Sequence, residues 1–220
     1  MTTPIKIDFV SDVSCPWCAI GLKSLQIALK RLHDEIQAEI HFQPFELNPD
    51  MPAEGQEINE HLSQKYGSTP EQLQQAREAI RQRGAALGFE FGIGKRDRIY
   101  NTFDAHRLLH WAGREGPPGS QQALKTALFS AYFTEGLSPA SHEVLLQKSR
   151  EVGLDPVRGA AVLDGDTFAD EVRQTENFYT SHGIHSIPAV ILNGQHLISG
   201  GQPPEVFEQA LRQLASKPVL

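Results

Sequence analysis

The sequence predicts an α/β fold in which a long all-helical insertion interrupts a small β-sheet. Three observations support this prediction. The first 47 residues show a strand pattern, a helix pattern and a second strand pattern. The next roughly one hundred residues are dominated by helix formers, a length that does not suit a loop in a compact domain. Strand patterns return only near residue 189, before a closing amphipathic helix.

The N-terminal segment predicts a parallel βαβ unit. Ile5, Ile7 and Phe9 alternate with more polar residues, which is typical of a strand, here ending near Ser11. Leucine and isoleucine recur at helical spacing from residue 18 to about residue 35, and residues 39–47 (EIHFQPFEL) form the second predicted strand. A crossover of this length predicts parallel strands with a right-handed connection.

The insertion predicts five helices. Thr69 and Pro70 suit the N-cap and the first helical position of one of them. Ser141 and Gly153 are the N-cap and C-cap candidates of a later helix. The predicted helices cover residues 70–87, 101–111, 121–133, 138–153 and 155–165.

The C-terminal segment predicts a helix, a hairpin and a final helix. The helix covers residues 168–184. Asn193 and Gly194 separate the apolar run of residues 189–192 from residues 196–199, and Asn-Gly is the strongest two-residue hairpin signal. The last helix covers residues 203–216.

Composition excludes some classes of partner. The 220-residue chain has a formal net charge of −7, whereas a nucleic-acid-binding surface needs a basic stripe. No apolar stretch reaches the roughly 18 residues that span a bilayer. The opening MTTPIKIDFV lacks the charged and apolar regions of a secretory leader. We therefore expect a cytoplasmic protein with neither a nucleic-acid nor a membrane partner.

The two cysteines, Cys15 and Cys18, lie in a CPWC motif at the predicted strand-to-helix junction. Free N–H groups and the macrodipole at a helix start favour an anion, so Cys15 is predicted to form the reactive thiolate. Cys18, one turn further along, can attack a mixed disulfide formed by Cys15. Pro16 suits the first helical position and is also a candidate substrate-binding residue. Trp17 offers an apolar surface beside an exposed sulfur, for substrate docking or for packing.

Other uses of a cysteine pair fit less well. A bond across two intervening residues closes a very short loop, and persistent structural disulfides are rare in a reducing compartment. A zinc site needs about four ligands, and the chain has one CxxC without suitably spaced histidines. We expect no metal and no tightly bound cofactor.

Ile187 and Pro188, directly before the strand at residues 189–192, are the second predicted component of a site. Proline is tolerated at the first residue of a strand, so a simple strand-initiating role stays open. The alternative is a cis peptide bond opposite Cys15, with the Ile187 backbone pairing with an extended substrate.

Four motifs in this order resemble the DsbA family of thioredoxin-fold proteins, and its FrnE-like branch in particular. They are SDVSCPWCAIG, FELNPDMP, NTFDAHRLL and GIHSIPAVILNG. The resemblance extends from Ile5 to about Leu214. It implies a discontinuous thioredoxin-like domain of residues 1–50 and 166–220, with a helical subdomain of residues 51–165 inserted.

The resemblance also implies a function. A thiol-disulfide oxidoreductase would use Cys15 as nucleophile, Cys18 as resolving thiol and Pro188 as cis-proline, with Ile187 contacting the substrate. Its substrates would be proteins or small molecules that contain thiols or disulfides, with glutathione as a candidate co-substrate. The oligomeric state stays open, a homodimer included.

A second function stays open. The same branch is similar to 2-hydroxychromene-2-carboxylate isomerases and kappa-class glutathione transferases, which have serine where this chain has Cys15. A glutathione-dependent transferase or isomerase is therefore the alternative, and it would not need Cys18. His106 is a candidate substrate-binding residue, with burial in a satisfied core as the other interpretation. His185 could stabilise a nearby thiolate.

Overall fold

The computed structural model describes residues 2–52 and 54–216. Their strands are β1 (Thr3–Ser11), β2 (Ile36–Pro44), β3 (Gln56–Glu57), β4 (Arg98–Ile99), β5 (Ala189–Leu192) and β6 (His196–Ser199). Their helices are α1 (Pro16–Arg31), α2 (Ile58–Tyr66), α3 (Pro70–Ala86), α4 (Phe103–Glu115), α5 (Ser120–Phe129), α6 (His142–Glu151), α7 (Pro156–Asp164), α8 (Ala169–Ser181) and α9 (Pro204–Ala215). A π-helical segment, Ser130–Glu135, directly follows α5.

The main sheet has the strand order β2-β1-β5-β6, and β3 pairs with β4 in a separate two-stranded sheet. β1 runs parallel to β2, with Ile7 opposite Ile40, and antiparallel to β5, with Phe9 opposite Val190. Phe9 and Val10, which point to opposite faces of the sheet, are both fully buried. The central strand β1 is therefore covered on both faces, which fixes the loop that follows it.

Helices cover this sheet on both faces. α1 and α9 pack together on one face, where Leu25 and Phe207 are fully buried. Tyr179 of α8 packs with Val10 on the other face. A separate apolar cluster of α4 to α7 also includes Val13, which lies between β1 and α1. The helices of the insertion thus pack directly on the loop that precedes Cys15.

The structure confirms the predicted order of elements. A βαβ unit comes first, a helical segment follows, and a helix, a hairpin and a final helix end the chain. β5 and β6 have the predicted bounds. The first helix ends at Arg31, and the second strand begins at Ile36 and not at residue 39. The reason is a turn at Leu32, whose carbonyl accepts hydrogen bonds from the backbone of Glu35 and Ile36 and ends the helix early.

Three elements, α2, β3 and β4, were not predicted from the sequence, and one predicted helix changes its helical type. α2 was missed because its sequence is polar and only Ile58 is buried in it. The β3–β4 pair joins Gln56 to Ile99, residues too far apart in sequence for a local signal. The predicted helix of residues 121–133 ends as an α-helix at Phe129 and continues as the π-helical segment.

The division into a discontinuous thioredoxin-like domain and an inserted helical subdomain stays a prediction. Met1 and residues 217–220 of the former and Ala53 of the latter lie outside the described residues. No described helix combines the length and the hydropathy that crossing a membrane requires.

Hydrogen bonds of the buried Arg107 connect α4 to the end of α7 and to the segment before α8. Arg107 is only 4% exposed. Its guanidinium donates to the carbonyls of Val162 and Gly165, to that of Thr167 at 3.1 Å, and to the Asp104 carboxylate at 2.7 Å. Arg107 thus fastens α4 to the end of α7 and to the segment that leads into α8.

Substitution of Arg107 by methionine is expected to lower the free energy of unfolding by about 3 kcal/mol, because several buried carbonyls would lose their donor. Urea unfolding followed by tryptophan fluorescence measures this. Arg114→Met, at an exposed position of the same helix, is the matched control and should change stability by less than about 0.5 kcal/mol. Equal losses in the two variants would contradict the structural role of Arg107.

Candidate functional site

Cys15 is the N-cap residue of α1, and Pro16 is the first residue of the helix. The Cys15 backbone is extended, at φ −91° and ψ 113°, and its carbonyl accepts the first helical hydrogen bonds, from Cys18 at 3.1 Å and Ala19 at 3.3 Å. The Cys15 sulfur therefore lies at the positive end of the helix, where N–H groups without helical partners favour an anion.

Both cysteines are free thiols, and they differ in exposure. Cys15 is 4% exposed and Cys18 is fully buried. The sequence predicted an exposed sulfur at Cys15, and that prediction was wrong because the Cys15 side chain is largely buried. Cys15 belongs to the main apolar cluster, and Ile187 packs against that cluster. Of the two thiols, Cys15 is still the one that reaches the surface.

Cys18 is held in its thiol form in the reduced protein. Burial, a hydrogen bond with Cys15 and the charge of Cys15 raise the pKa of Cys18 well above its usual range. The positive charge of Lys125 acts in the opposite direction. An attacking thiolate on Cys18 therefore requires a change at Cys15 or a proton acceptor nearby.

The Ile187–Pro188 segment lies against Cys15. The peptide bond between Ile187 and Pro188 is cis, and the Ile187 carbonyl oxygen is 3.9 Å from the Cys15 sulfur. Gly21 permits this approach of α1, because a Cβ at that position would lie 3.1 Å from Pro188 Cγ. A hydrogen bond of 2.8 Å from Gly200 N–H to the Pro188 carbonyl fixes the segment from behind.

Asp12 anchors the loop that carries Cys15. Its carboxylate is buried and accepts hydrogen bonds from the backbone N–H groups of Ser14, at 3.0 Å, and Leu47, at 2.8 Å. His106 Nε2 lies 3.7 Å from it, beyond a direct hydrogen bond. Burial acts to raise the pKa of Asp12, but His106 and the two N–H groups outweigh it and lower the pKa to about 2.

The sequence did not single out three further charged or polar residues near the cysteines. Lys125 of α5, Arg96 and Tyr66 all lie within electrostatic reach of Cys15. The two cations favour a negative charge on the Cys15 sulfur. Each residue comes from the insertion and is distant in sequence from the CPWC motif, so no local pattern identifies it.

A groove of about 610 Å³ begins at Pro16 and runs along the insertion. Ile80 and Phe91 are among its apolar lining residues, and Arg96 and Arg77 are among its charged ones. The Arg96 guanidinium lies 5.0 Å from the centre of the Phe133 ring, and its Nη1 is buried without a hydrogen-bond partner among the described residues. The groove therefore presents both an apolar wall and charged side chains of both signs, Arg96 among them.

The structure brings most of the predicted site residues together. Cys15, Cys18, Ile187 and Pro188 form one cluster at the start of α1. Trp17 is 41% exposed beside it.

The two predicted histidines lie in different surroundings. His106 is buried next to Asp12, and His185 is exposed. Direct contact of either residue with a substrate stays a prediction. Among the described residues, no group of three or more His, Cys, Asp and Glu is placed to hold a metal ion.

Comparisons with known proteins agree with this architecture. The model of a family described as "DSBA-like thioredoxin domain" matches residues 6–212. A crystal structure described as a probable DsbA oxidoreductase from Streptomyces coelicolor is similar, with a TM-score of 0.89 and 32% identity over 98% of this chain and 92% of that one. The predicted thioredoxin fold with a helical insertion is thereby confirmed.

Two further relatives are informative. An uncharacterised protein of Bacillus subtilis (strain 168), YwbO, is 27% identical over 96% of each chain. The cytosolic disulfide reductase DsbM from Pseudomonas aeruginosa, solved with GSH, has a TM-score of 0.65 and 17% identity over 95% of this chain and 98% of that one. The likeness to DsbM, at 17% identity, shows a shared fold alone. The narrower FrnE-like assignment stays a prediction.

Proposed function

Because the chain belongs to the DSBA-like thioredoxin domain family, we propose that it is a thiol-disulfide oxidoreductase that cycles Cys15 and Cys18 between dithiol and disulfide. One observation carries the proposal. Cys15 caps the start of α1 with the Ile187 carbonyl 3.9 Å from its sulfur, and Cys18 is buried one turn behind it. This arrangement supports Cys15 as the nucleophile, Cys18 as the resolving thiol and the Ile187 carbonyl as a hydrogen-bond acceptor beside the Cys15 sulfur.

The reaction has two exchange steps. The Cys15 thiolate, favoured by the helix N-terminus and by the charges of Lys125 and Arg96, attacks a substrate disulfide and forms a mixed disulfide. Cys18 then attacks the Cys15 sulfur, forming the Cys15–Cys18 disulfide and releasing the substrate as a thiol. The substrate gains two electrons, and the reverse sequence oxidises a dithiol substrate.

The surroundings of Cys15 suit an extended disulfide-bearing substrate. The Ile187 backbone would pair with the residue next to the substrate cysteine, and the exposed side chains of Trp17 and Tyr66 would pack on either side of it. The groove that starts at Pro16 extends this contact along the insertion. We propose both proteins and small thiol molecules as substrates.

Glutathione is the proposed small co-substrate. Arg96 is among the residues that line the groove, and its guanidinium would attract a carboxylate; glutathione carries two carboxylates beside its thiol. The structure of DsbM with GSH shows that a protein of this fold binds glutathione. A glutathione-dependent transferase or isomerase is the alternative use of such a site, but it gives no role to the buried Cys18 thiol.

We propose the cytoplasm as the location of the protein, where a dithiol site would exchange with the glutathione pool. The description of DsbM as cytosolic supports this. Neither nucleic acid nor a membrane is a proposed partner, and a homodimer is a proposal that sedimentation would test.

The proposed function is tested by thiol counting on the wild-type protein. The reduced protein, treated with oxidised glutathione, is expected to lose both thiols and to contain an internal Cys15–Cys18 disulfide that dithiothreitol reverses. It is also expected to accelerate the reduction of insulin by dithiothreitol. A stable glutathione adduct on Cys15 with Cys18 still reduced, and no effect on insulin, would contradict the proposal.

A further inference from the structure

Glu46, in the FELNPDMP segment, is a buried acid that the exchange steps do not use. Its side chain is 2% exposed, and its Oε2 has no hydrogen-bond partner among the described residues. An ionised carboxylate is costly to bury unless it is paired and fully hydrogen-bonded. The position of Glu46, just beyond the end of β2, therefore needs an explanation other than packing.

Arg173 of α8 binds Glu46 together with a second buried acid, Glu176. The Arg173 Nη1 donates to Glu46 Oε1 at 2.7 Å and to Glu176 Oε2 at 3.0 Å. The guanidinium carbon lies 3.8 Å from the centre of the Phe103 ring, a contact that favours this position of the cation. The other oxygen of Glu176, Oε1, is also buried without a hydrogen-bond partner in the described part of the chain. One cation thus binds two carboxylates, and one negative charge is in excess when both are ionised.

A chain of hydrogen bonds connects the residue after Glu46 to Cys15. Leu47 donates its N–H to the Asp12 carboxylate at 2.8 Å. The same carboxylate accepts the Ser14 N–H at 3.0 Å, and the Asp12 carbonyl accepts the Cys15 N–H at 3.2 Å. The contacts of Glu46 therefore fix the position of the Leu47 N–H, which in turn anchors the loop of the nucleophile.

Two other ionisable groups lie beside this segment. Lys65 of α2 donates from its Nζ to the Leu47 carbonyl at 2.7 Å. His106 of α4 lies 3.7 Å from Asp12. Neither group is within ion-pair distance of Glu46 in the described part of the chain. The charge balance at Glu46 therefore depends chiefly on its contacts with α8.

We propose that Glu46 is a positioning residue for Cys15 and that it acts while it shares one proton with Glu176. Its effect passes through the hydrogen bond from the Leu47 N–H to Asp12. The inference rests on the proposed function for the identity of the nucleophile. With one proton on the two acids, one negative charge faces one cation and the segment stays in place. When this proton is lost, two buried negative charges repel each other, and the segment shifts away from the loop of the nucleophile.

The charges around Glu46 fit a shared proton. Burial, followed by the negative charge of Glu176, raises the pKa of Glu46 to about 7. The charge of Asp12 acts in the same direction, whereas the charge and the hydrogen bond of Arg173 act to lower this pKa. Asp12 itself stays ionised at neutral pH, because its own pKa is about 2. The two acids therefore lose their shared proton near neutral pH, while Asp12 remains an acceptor throughout.

The test measures the alkylation of Cys15 by iodoacetamide in the folded protein. This reaction requires a thiolate and no disulfide exchange, so it does not depend on the dithiol cycle. Mass spectrometry distinguishes the Cys15 adduct from any adduct on Cys18, which is fully buried. The rate of each variant is divided by the wild-type rate at the same pH. The ionisation of the Cys15 thiol, which the two proteins share, then cancels.

Glu46→Gln keeps an oxygen that accepts from Arg173 and supplies an amide N–H in place of the shared proton. Its rate ratio should be close to one at about pH 6 and should rise to about three at about pH 8, because this variant cannot ionise. The midpoint of the rise is expected near pH 7, where the wild-type acid loses its proton. Glu46→Ala lacks the acceptor and should react about tenfold more slowly than the wild type at about pH 6. The first equivalent of TNB that Cys15 releases from the aromatic disulfide reagent DTNB should give the same ratios.

Glu115→Ala is the matched control. The Glu115 carboxylate, at the last residue of α4, also binds a guanidinium, that of Arg158, with two hydrogen bonds of 2.8 Å. Its removal should leave the rate ratio at one over the whole pH range. Circular dichroism establishes that every variant is folded.

Three outcomes would overturn the role of Glu46: a Glu46→Gln ratio that does not change with pH, a Glu46→Ala rate equal to that of the wild type, or an equal slowing in Glu115→Ala. A wild-type protein that is alkylated at Cys15 and never closes the disulfide with Cys18 would instead contradict the proposed function. The two failures are therefore distinguishable.

Discussion

Cys15→Ser is expected to lose thiol-disulfide exchange altogether. Insulin reduction in its presence should fall to the rate of dithiothreitol alone, because a serine hydroxyl cannot form a disulfide and Cys18 is fully buried. The substitution exchanges one small side chain for another at the helix N-cap, where serine is well tolerated. The measurement is the rate of insulin precipitation at several concentrations of each protein.

Ser14→Ala is the matched control for this variant. Ser14 adjoins Cys15, is also 4% exposed, and its hydroxyl has no hydrogen-bond partner among the described residues. Exchange by this variant should equal that of the wild type. Equal insulin reduction by Cys15→Ser and the wild type would remove Cys15 from the reaction.

Cys15→Ser also separates the two candidate functions. Kappa-class glutathione transferases and 2-hydroxychromene-2-carboxylate isomerases resemble this chain but have serine at the position of Cys15. A glutathione transferase would therefore retain conjugation of glutathione to an electrophile in Cys15→Ser. An oxidoreductase would gain no such activity from the substitution.

Local sequence signals identify the parts of the site that depend on backbone geometry. The CPWC motif lies where an alternating strand pattern changes into a helical one, and the structure places Cys15 at that boundary. Asn193 and Gly194 both have positive φ, at 49° and 67°, as the hairpin signal requires. These features need only neighbouring residues to form, so the sequence predicts them well.

The electrostatic environment of the cysteines could not be predicted in this way. Lys125 occurs in a helix that also contains polar residues, and a lysine in that setting indicates an exposed position. Its burial follows from the packing of α5 against β2. In this contact Gln121 binds the Phe42 backbone, which is 79 positions away in the sequence. Asp12 is similarly a residue type that is typical of turns. Its carboxylate accepts a hydrogen bond from Leu47 N–H, and this contact forms only when the sheet has assembled.

Cys18→Ala is expected to stop the reaction at the mixed disulfide. Cys15 retains its position at the helix N-cap and can still attack, but no second thiol is present to displace the substrate. With DTNB, the variant should release one equivalent of TNB where the wild type releases two, and mass spectrometry should find the second TNB group on Cys15. Catalytic turnover of insulin should be lost while covalent capture of the substrate persists.

Ser24→Ala is a matched control on the same helix, because Ser24 is fully buried and its hydroxyl has no hydrogen-bond partner among the described residues. It should turn over insulin like the wild type and release two equivalents of TNB. Unchanged turnover in Cys18→Ala would contradict the dithiol cycle and favour the glutathione-dependent alternative, in which Cys15 acts alone. Capture without release is specific to the dithiol cycle, because Cys18 has a function there only after a substrate is bound covalently to Cys15.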